Sequence, residues 1–162
     1  MKSYSVLSQI GFRLQAAYFK PLAFVFYLLS FSFFSCTTKE HKQATKFDQY
    51  MVQGEVLYQT HCSNCHQKKG TGLGLLYPPL NKSDFMESHF EEVICLMKKG
   101  REGELIVNGK QFNKPMKGVA SLTELEIAEI ATYIYNTWDH HKGIVEVKEV
   151  TTILSKCPDL NH

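Results

Sequence analysis

Two cysteines separated by two residues and followed directly by a histidine, Cys62-Ser63-Asn64-Cys65-His66, constrain this chain more than any other feature. One turn of backbone carries both thiols and the imidazole toward the same volume. Three chemistries use parts of such a set. A thioredoxin-like redox pair follows a strand in a βαβ pattern, whereas the residues ahead of Cys62 read as a helix. A structural zinc site requires a second ligand pair, but Cys95 and Cys157 stand alone and no H-x-x-x-H spacing follows. Attachment of c-type haem uses the five residues as they stand: the thiols add across two vinyl groups as thioethers, and the adjacent histidine falls under the iron as proximal ligand. The pattern predicts one covalently bound haem c, iron included, on Cys62, Cys65 and His66.

The flanks agree with this reading. From Phe47 to Thr60 the apolar Tyr50, Met51, Leu57 and Tyr58 fit one helical face, and Gly54, a poor helix residue, points to a close helix crossing. Thr123-Glu124-Leu125-Glu126 has the capping-box pattern, after which Ile127, Ile130, Ala131, Ile134 and Trp138 recur at helical spacing. With Gly54-x-x-x-Tyr58 one turn ahead of the haem motif, residues 47–138 resemble the class I c-type cytochromes, in particular the single-haem bacterial lipoprotein type, and the likeness continues more loosely to Cys157. The resemblance implies an all-α, class I cytochrome c fold, helices wrapped around one covalently attached haem, with residues 139–162 as a C-terminal extension packed back on the domain. It also implies that Gly54 lets the first helix press on an aromatic of the last, a role open to Tyr133 or the neighbouring Ile134.

One histidine leaves haem iron with an open position, and what fills it separates an electron carrier from a ligand-binding or catalytic haem. Met116, in Asn113-Lys114-Pro115-Met116, lies 50 residues after His66 and a short loop before the last helix, where the resembling family places its axial methionine. Met51 precedes the motif, and Met86 and Met97 fall in segments that look helical or nearly so, where methionine more often fills a core. His89, His140 and His141 are the alternatives, and a bis-histidine site would have a lower potential. The glycines of Gly70-Thr71-Gly72-Leu73-Gly74 lack the lysine, serine and preceding strand of a phosphate-binding loop. With Tyr77-Pro78-Pro79-Leu80 they read as a loop around the haem edge. In the resembling family a proline carbonyl here accepts the proximal histidine's other N–H; Pro79, in preference to Pro78, is the expected acceptor.

Residues 1–35 contain no Asp or Glu, carry Lys2, Arg13 and Lys20, and end in an apolar run from Pro21 to Ser35, the composition of an export signal. That run is shorter than the roughly 20 residues a spanning helix requires, which makes a retained membrane anchor the weaker alternative. Residues 28–36 resemble a bacterial lipoprotein signal, in which cleavage before Cys36 leaves that cysteine to carry lipid, although Phe33 and Phe34 are bulkier than the strict pattern. Residues 36–46 then read as a polar, flexible tether. With Cys36 assigned to lipid and Cys62 and Cys65 to haem, Cys95 and Cys157 remain as one pair, expected as a disulfide in an exported chain. Two independent buried thiols are the alternative.

The formal charge of +2 belongs to the full sequence, and without the three basic residues of the signal it becomes −1. No basic face or nucleic-acid motif is visible, so that class of partner is excluded. Residues 62–118 hold nine Lys or Arg against six Asp or Glu, and if Lys68, Lys69, Lys98, Lys99, Lys114 and Lys117 gather at the haem edge they would steer an acidic partner. The expectation is a one-electron carrier or tethered electron-transfer subunit, not an enzyme, outside the cytoplasm and held to a bacterial membrane by lipid. Its partners would be a redox donor and acceptor, such as a membrane respiratory complex or a periplasmic reductase. A haem peroxidase or a haem-based sensor, each with an open iron, is the competing class.

Overall fold

The computed structural model describes residues 38–158; the export signal expected over residues 1–35 and the expected lipid site at Cys36 lie outside the described residues. The chain divides into two units, 1–40 and 41–162, and apart from the first residues of one helix every described element belongs to the second. Six helices are described: α1 (Thr38–His61), α2 (Ser63–His66), α3 (Asp84–Ser88), α4 (Phe90–Lys99), α5 (Glu124–Ile134) and α6 (Val147–Leu154). Between α4 and α5 run four short strands, β1 (Gly100–Arg101), β2 (Leu105–Val107), β3 (Lys110–Phe112) and β4 (Met116–Lys117). No described helix is long and apolar enough to cross a membrane.

Helix α1 begins at Thr38, inside the stretch expected to be a tether. That stretch is polar but rich in Lys, Glu, Gln and Ala, which are good helix formers, so it continues the helix that Tyr50 and Tyr58 anchor in the core. Gly54 meets α5 on the buried side of α1: a Cβ added there would lie against the Glu129 carbonyl and 2.7 Å from the Cβ of Tyr133. Tyr133, rather than Ile134, is the aromatic that crosses it.

The capping box forms as expected, with the Thr123 hydroxyl accepting from Glu126 N and the Glu126 carboxylate accepting from Thr123 N at 2.7 Å. Ile127, Ala128, Ile130, Ala131 and Ile134 then line the core. The helix stops at Ile134, short of Trp138, because Asn136 Nδ2 and Thr137 Oγ1 take the carbonyls of Thr132 and Tyr133, each at 2.7 Å. Trp138 sits in the following turn at φ 56° and packs edge-on to Tyr58 and Tyr133.

The extension after α5 folds back. Asn136 clamps Gly143 with two hydrogen bonds of 2.7 Å, Val145 N donates to Thr132 Oγ1, and α6 buries Val150 and Ile153 against α4 and α5. Cys95 on α4 and Cys157 are joined by a disulfide with Cα atoms 5.7 Å apart.

The strands form two ribbons. β2 and β3 make a hairpin around Asn108 and Gly109, both at positive φ (51° and 69°), as a two-residue primed turn requires. β1 pairs antiparallel with β4, placing Gly100 opposite Lys117 and Arg101 opposite Met116.

Candidate functional site

The last turn of α1, residue Cys62 and the single turn α2 present the motif. Cys65 N and His66 N both donate to the Cys62 carbonyl, at 3.2 and 3.0 Å, which folds the two thiols and the imidazole into one turn. Tyr58, fully buried, donates its hydroxyl to the Gln67 carbonyl at 2.6 Å and holds the end of that turn against α1. Cys62 and Cys65 are not joined in a disulfide. Burial, and then the neighbouring Cys65, push the Cys62 thiol up to about 11, so it is neutral at physiological pH.

His66 is buried, and that burial lowers its pKa against an opposing contribution from its hydrogen bond to the backbone. Its Nδ1–H donates to the Pro78 carbonyl at 3.0 Å, which leaves the Nε2 lone pair free to bind a metal. The acceptor is therefore Pro78, and the expectation of Pro79 is corrected. The loop's closure decides between them: Gly72 N donates to the His66 carbonyl, Leu80 N and Asn81 N donate to the Gly70 carbonyl, and Leu73 bridges to Tyr77. Gly72, at φ 67°, lies so near this backbone that a Cβ there would be 2.7 Å from the Pro78 carbonyl carbon. Together these contacts deliver the Pro78 oxygen to the ring.

These residues open onto a cavity of two adjoining lobes, which share Cys62, His66, Pro78, Met97 and Met116. One lobe is a mainly apolar slot reaching Tyr58, Met86 and Ile134. The other has a volume of about 350 Å³ and is bordered by Cys65, Tyr77, Arg101, Lys114 and Lys117. Two thiols, a correctly tautomeric histidine and a thioether around an apolar slot with a cationic mouth match the donor set and polarity of haem. His66 and Met116 would hold the iron, and Cys62 and Cys65 the porphyrin.

Three methionines border the cavity. Met86 and Met97 belong to the packed core, at 1% and 5% exposure, whereas Met116 is half-buried and lies outside that core cluster. Of the competing histidines, His89 stacks on Phe85, His140 Nε2 lies 3.2 Å from the Leu80 carbonyl, and neither these nor His141 borders either lobe. His61 does border the larger lobe; it directly precedes the motif and was open to recognition from the sequence.

The six lysines considered as a docking ring divide. Lys98 Nζ donates to the carbonyls of Ala120 and Leu122 at 2.7 and 2.6 Å, and Lys99 Nζ to those of Cys157 and Pro158 at 2.9 and 3.1 Å. Lys114 and Lys117 stay at the cavity mouth. Leu73, Leu75 and Leu76, on the loop leading to Tyr77, are exposed.

Helices enclosing a slot that holds a C-x-x-C-H turn, a carbonyl-oriented histidine and a methionine on its lining define a single-haem, helical electron carrier. The chain belongs to the cytochrome c family: the Cytochrome c family model matches residues 51–138, and the family binds covalently attached haem c. It is similar to cytochrome c-552 of Thermus thermophilus, at 30% identity over 104 residues, 62% of this chain and 79% of that one. A second cytochrome c-552 of the same species is also 30% identical over 104 residues, covering 62% of this chain and 70% of its own length.

Proposed function

We propose that this chain is a one-electron carrier, or a tethered electron-transfer subunit, working outside the cytoplasm, in which His66 and Met116 would hold the iron of the bound haem. Haem c supplies one-electron redox chemistry at its iron. The protein's residues set how that chemistry is used. The thioether of Met116 would favour the reduced state and shield the iron from dioxygen or peroxide, while the Pro78 carbonyl fixes the His66 ring. The observation that carries this reading is that Met116 borders both lobes of the His66 cavity without belonging to the packed core.

The acid-free, apolar-ended segment 1–35 and the lipoprotein-like residues up to Cys36 support export and lipid attachment. The Cys95–Cys157 disulfide is consistent with an oxidising compartment. Redox proteins, a donor and an acceptor, are the partners, and a membrane respiratory complex or a periplasmic reductase fits a tethered carrier.

The test of the axial assignment is spectroscopic. The ferric wild type should show the weak near-infrared sulfur-to-iron charge-transfer band, and the reduced protein should not bind carbon monoxide at neutral pH. Met116→Ala should lose the band, bind carbon monoxide and have a lower potential, while Met97→Leu should keep the band. A Met116→Ala protein with the wild-type spectrum would overturn the assignment and reopen the peroxidase or sensor reading.

A further inference from the structure

Met116 is carried by a ladder only two residues long. A pair of this length has too few hydrogen bonds and too little buried side chain to fix its own register, and a one-residue slip would turn every side chain to the opposite face. The surroundings of the ladder supply the missing constraint. Gly100 and Gly118 bring the two backbones into direct contact, leaving no room for a Cβ on either. Val119 N donates to the Met97 carbonyl at 2.9 Å. These contacts fix how close the strands come. Since α4 runs directly into β1 at Gly100, what these contacts leave to a side chain is how the far end of β1 and the turn after it are held.

That side chain is Arg101. It is opposite Met116 in the ladder, and directly opposed residues of an antiparallel pair project to the same face. Both border the larger lobe of the His66 cavity. The guanidinium is held on two sides, by Glu92 Oε1 of α4 at 2.5 Å from Nη1 and by the Glu104 carbonyl at 2.9 Å from Nη2. The pair is largely withdrawn from water, with Arg101 and Glu92 side chains 27% and 31% exposed. A part-buried ion pair is a poor source of stability, because desolvation offsets much of its attraction. The best-attested use of such a pair is to specify register.

We propose that Arg101 is a positioning residue for Met116: by tying β1 to Glu92 and to the turn at Glu104, it fixes the face on which the ladder presents the thioether to the iron. The proposal rests on Met116 being the axial ligand. The planar fork of Arg101 suits the task because its rigid donors fix the direction of both contacts, which a freely rotating ammonium does not.

The experiment uses the full haem-loaded protein carrying Arg101→Leu, Arg101→Lys or Glu92→Gln, with Met116→Ala as reference. The readouts are the ferric near-infrared band, imidazole affinity for the ferric iron, and thermal unfolding. Arg101→Leu should lose at least half of the band and bind imidazole at least tenfold more tightly. Arg101→Lys should recover part of both, and Glu92→Gln, which keeps the guanidinium and an acceptor oxygen but removes the charge that holds one arm, should fall between. Band and imidazole affinity within twofold of wild type in Arg101→Leu would overturn the proposal, as would a fall in melting temperature alone. Should Arg101→Leu not fold, Glu92→Gln decides on the same two readouts. An intact band in Met116→Ala would instead refute the ligand assignment beneath it.

Discussion

Tyr133 of α5 lies across Gly54 of α1 with its Cβ 2.7 Å from where a Gly54 Cβ would stand, and the carbonyl of Glu129 is nearer still. Gly54→Ala gains helix propensity of about 1 kcal/mol in α1. It also drives a methyl into a backbone carbonyl that cannot rotate away, and overpacking of this kind costs about 1–3 kcal/mol or more. The expected result is a net loss of about 1 kcal/mol or more in denaturant unfolding of the holoprotein, the overpacking cost less the propensity gain. An unchanged or raised midpoint would show that the two helices can part without cost.

Gly72→Ala tests the orientation of the proximal ligand. The substitution meets both a positive φ and the Pro78 backbone, so it should displace the carbonyl that accepts from His66 Nδ1. Losing that acceptor makes the imidazole a poorer donor to ferric iron, and the reduction potential should rise, together with a stability loss of about 1–3 kcal/mol. Voltammetry of the purified variant checks the sign. A fall in potential would contradict it.

The Cys95–Cys157 bridge spans 62 residues, and the chain-entropy model assigns such a loop about 4 kcal/mol, with measured values commonly about 2–4. Replacing both cysteines by serine should lower stability by that amount while the haem stays covalently attached through Cys62 and Cys65. Urea titration monitored by tryptophan emission gives the first quantity. Denaturing electrophoresis with haem staining gives the second.

The capping box of α5 makes a pH-dependent contribution with a definite sign. Hydrogen bonds from the Thr123 backbone N–H, then from its hydroxyl, hold the Glu126 carboxyl below its usual value of 4.5. A carboxylate with a depressed folded pKa stabilises the fold above its unfolded pKa, and that contribution is lost as pH falls through the folded value. Between about pH 5 and pH 3 the wild type should therefore lose stability that Glu126→Gln does not. Thr123→Ala should cost about 1 kcal/mol at neutral pH, as a lost N-cap does. Parallel acid-unfolding curves for wild type and Glu126→Gln would refute the linkage.

The parts of this fold legible in the sequence are those written in short, chemically specific patterns. Thr123 and Glu126 announce the start of α5 because capping is local, and Cys62, Cys65 and His66 announce the haem turn because thioether attachment and axial ligation need those groups at that spacing. Gly54 was readable as a crossing, yet the choice of Tyr133 over Ile134 depended on helix rotation. Other features had weaker local signatures. The β1–β4 ladder is too short to show periodicity, Pro78 and Pro79 differ only in how the loop after Gly72 is routed, and α5 ends at Ile134 because Asn136 and Thr137 take its carbonyls. The Asn108-Gly109 pair is itself a turn signal in the sequence, and the hairpin it closes is visible there even within a helical fold.

The Cys95–Cys157 bond has a consequence for how the molecule is made. A chain carrying thiols at positions 62, 65, 95 and 157 can, when oxidised, pair all four in three ways, and two of the three cross-link the sulfurs that haem requires to the wrong partners. The third forms the right bridge but still oxidises Cys62 and Cys65 to each other. Haem attachment removes that hazard by withdrawing Cys62 and Cys65 from the thiol pool, after which Cys95 has a single remaining partner among these four. Maturation in which attachment precedes oxidation therefore reaches one product, and maturation in the reverse order needs a reductant that recognises the wrong bonds and spares the right one.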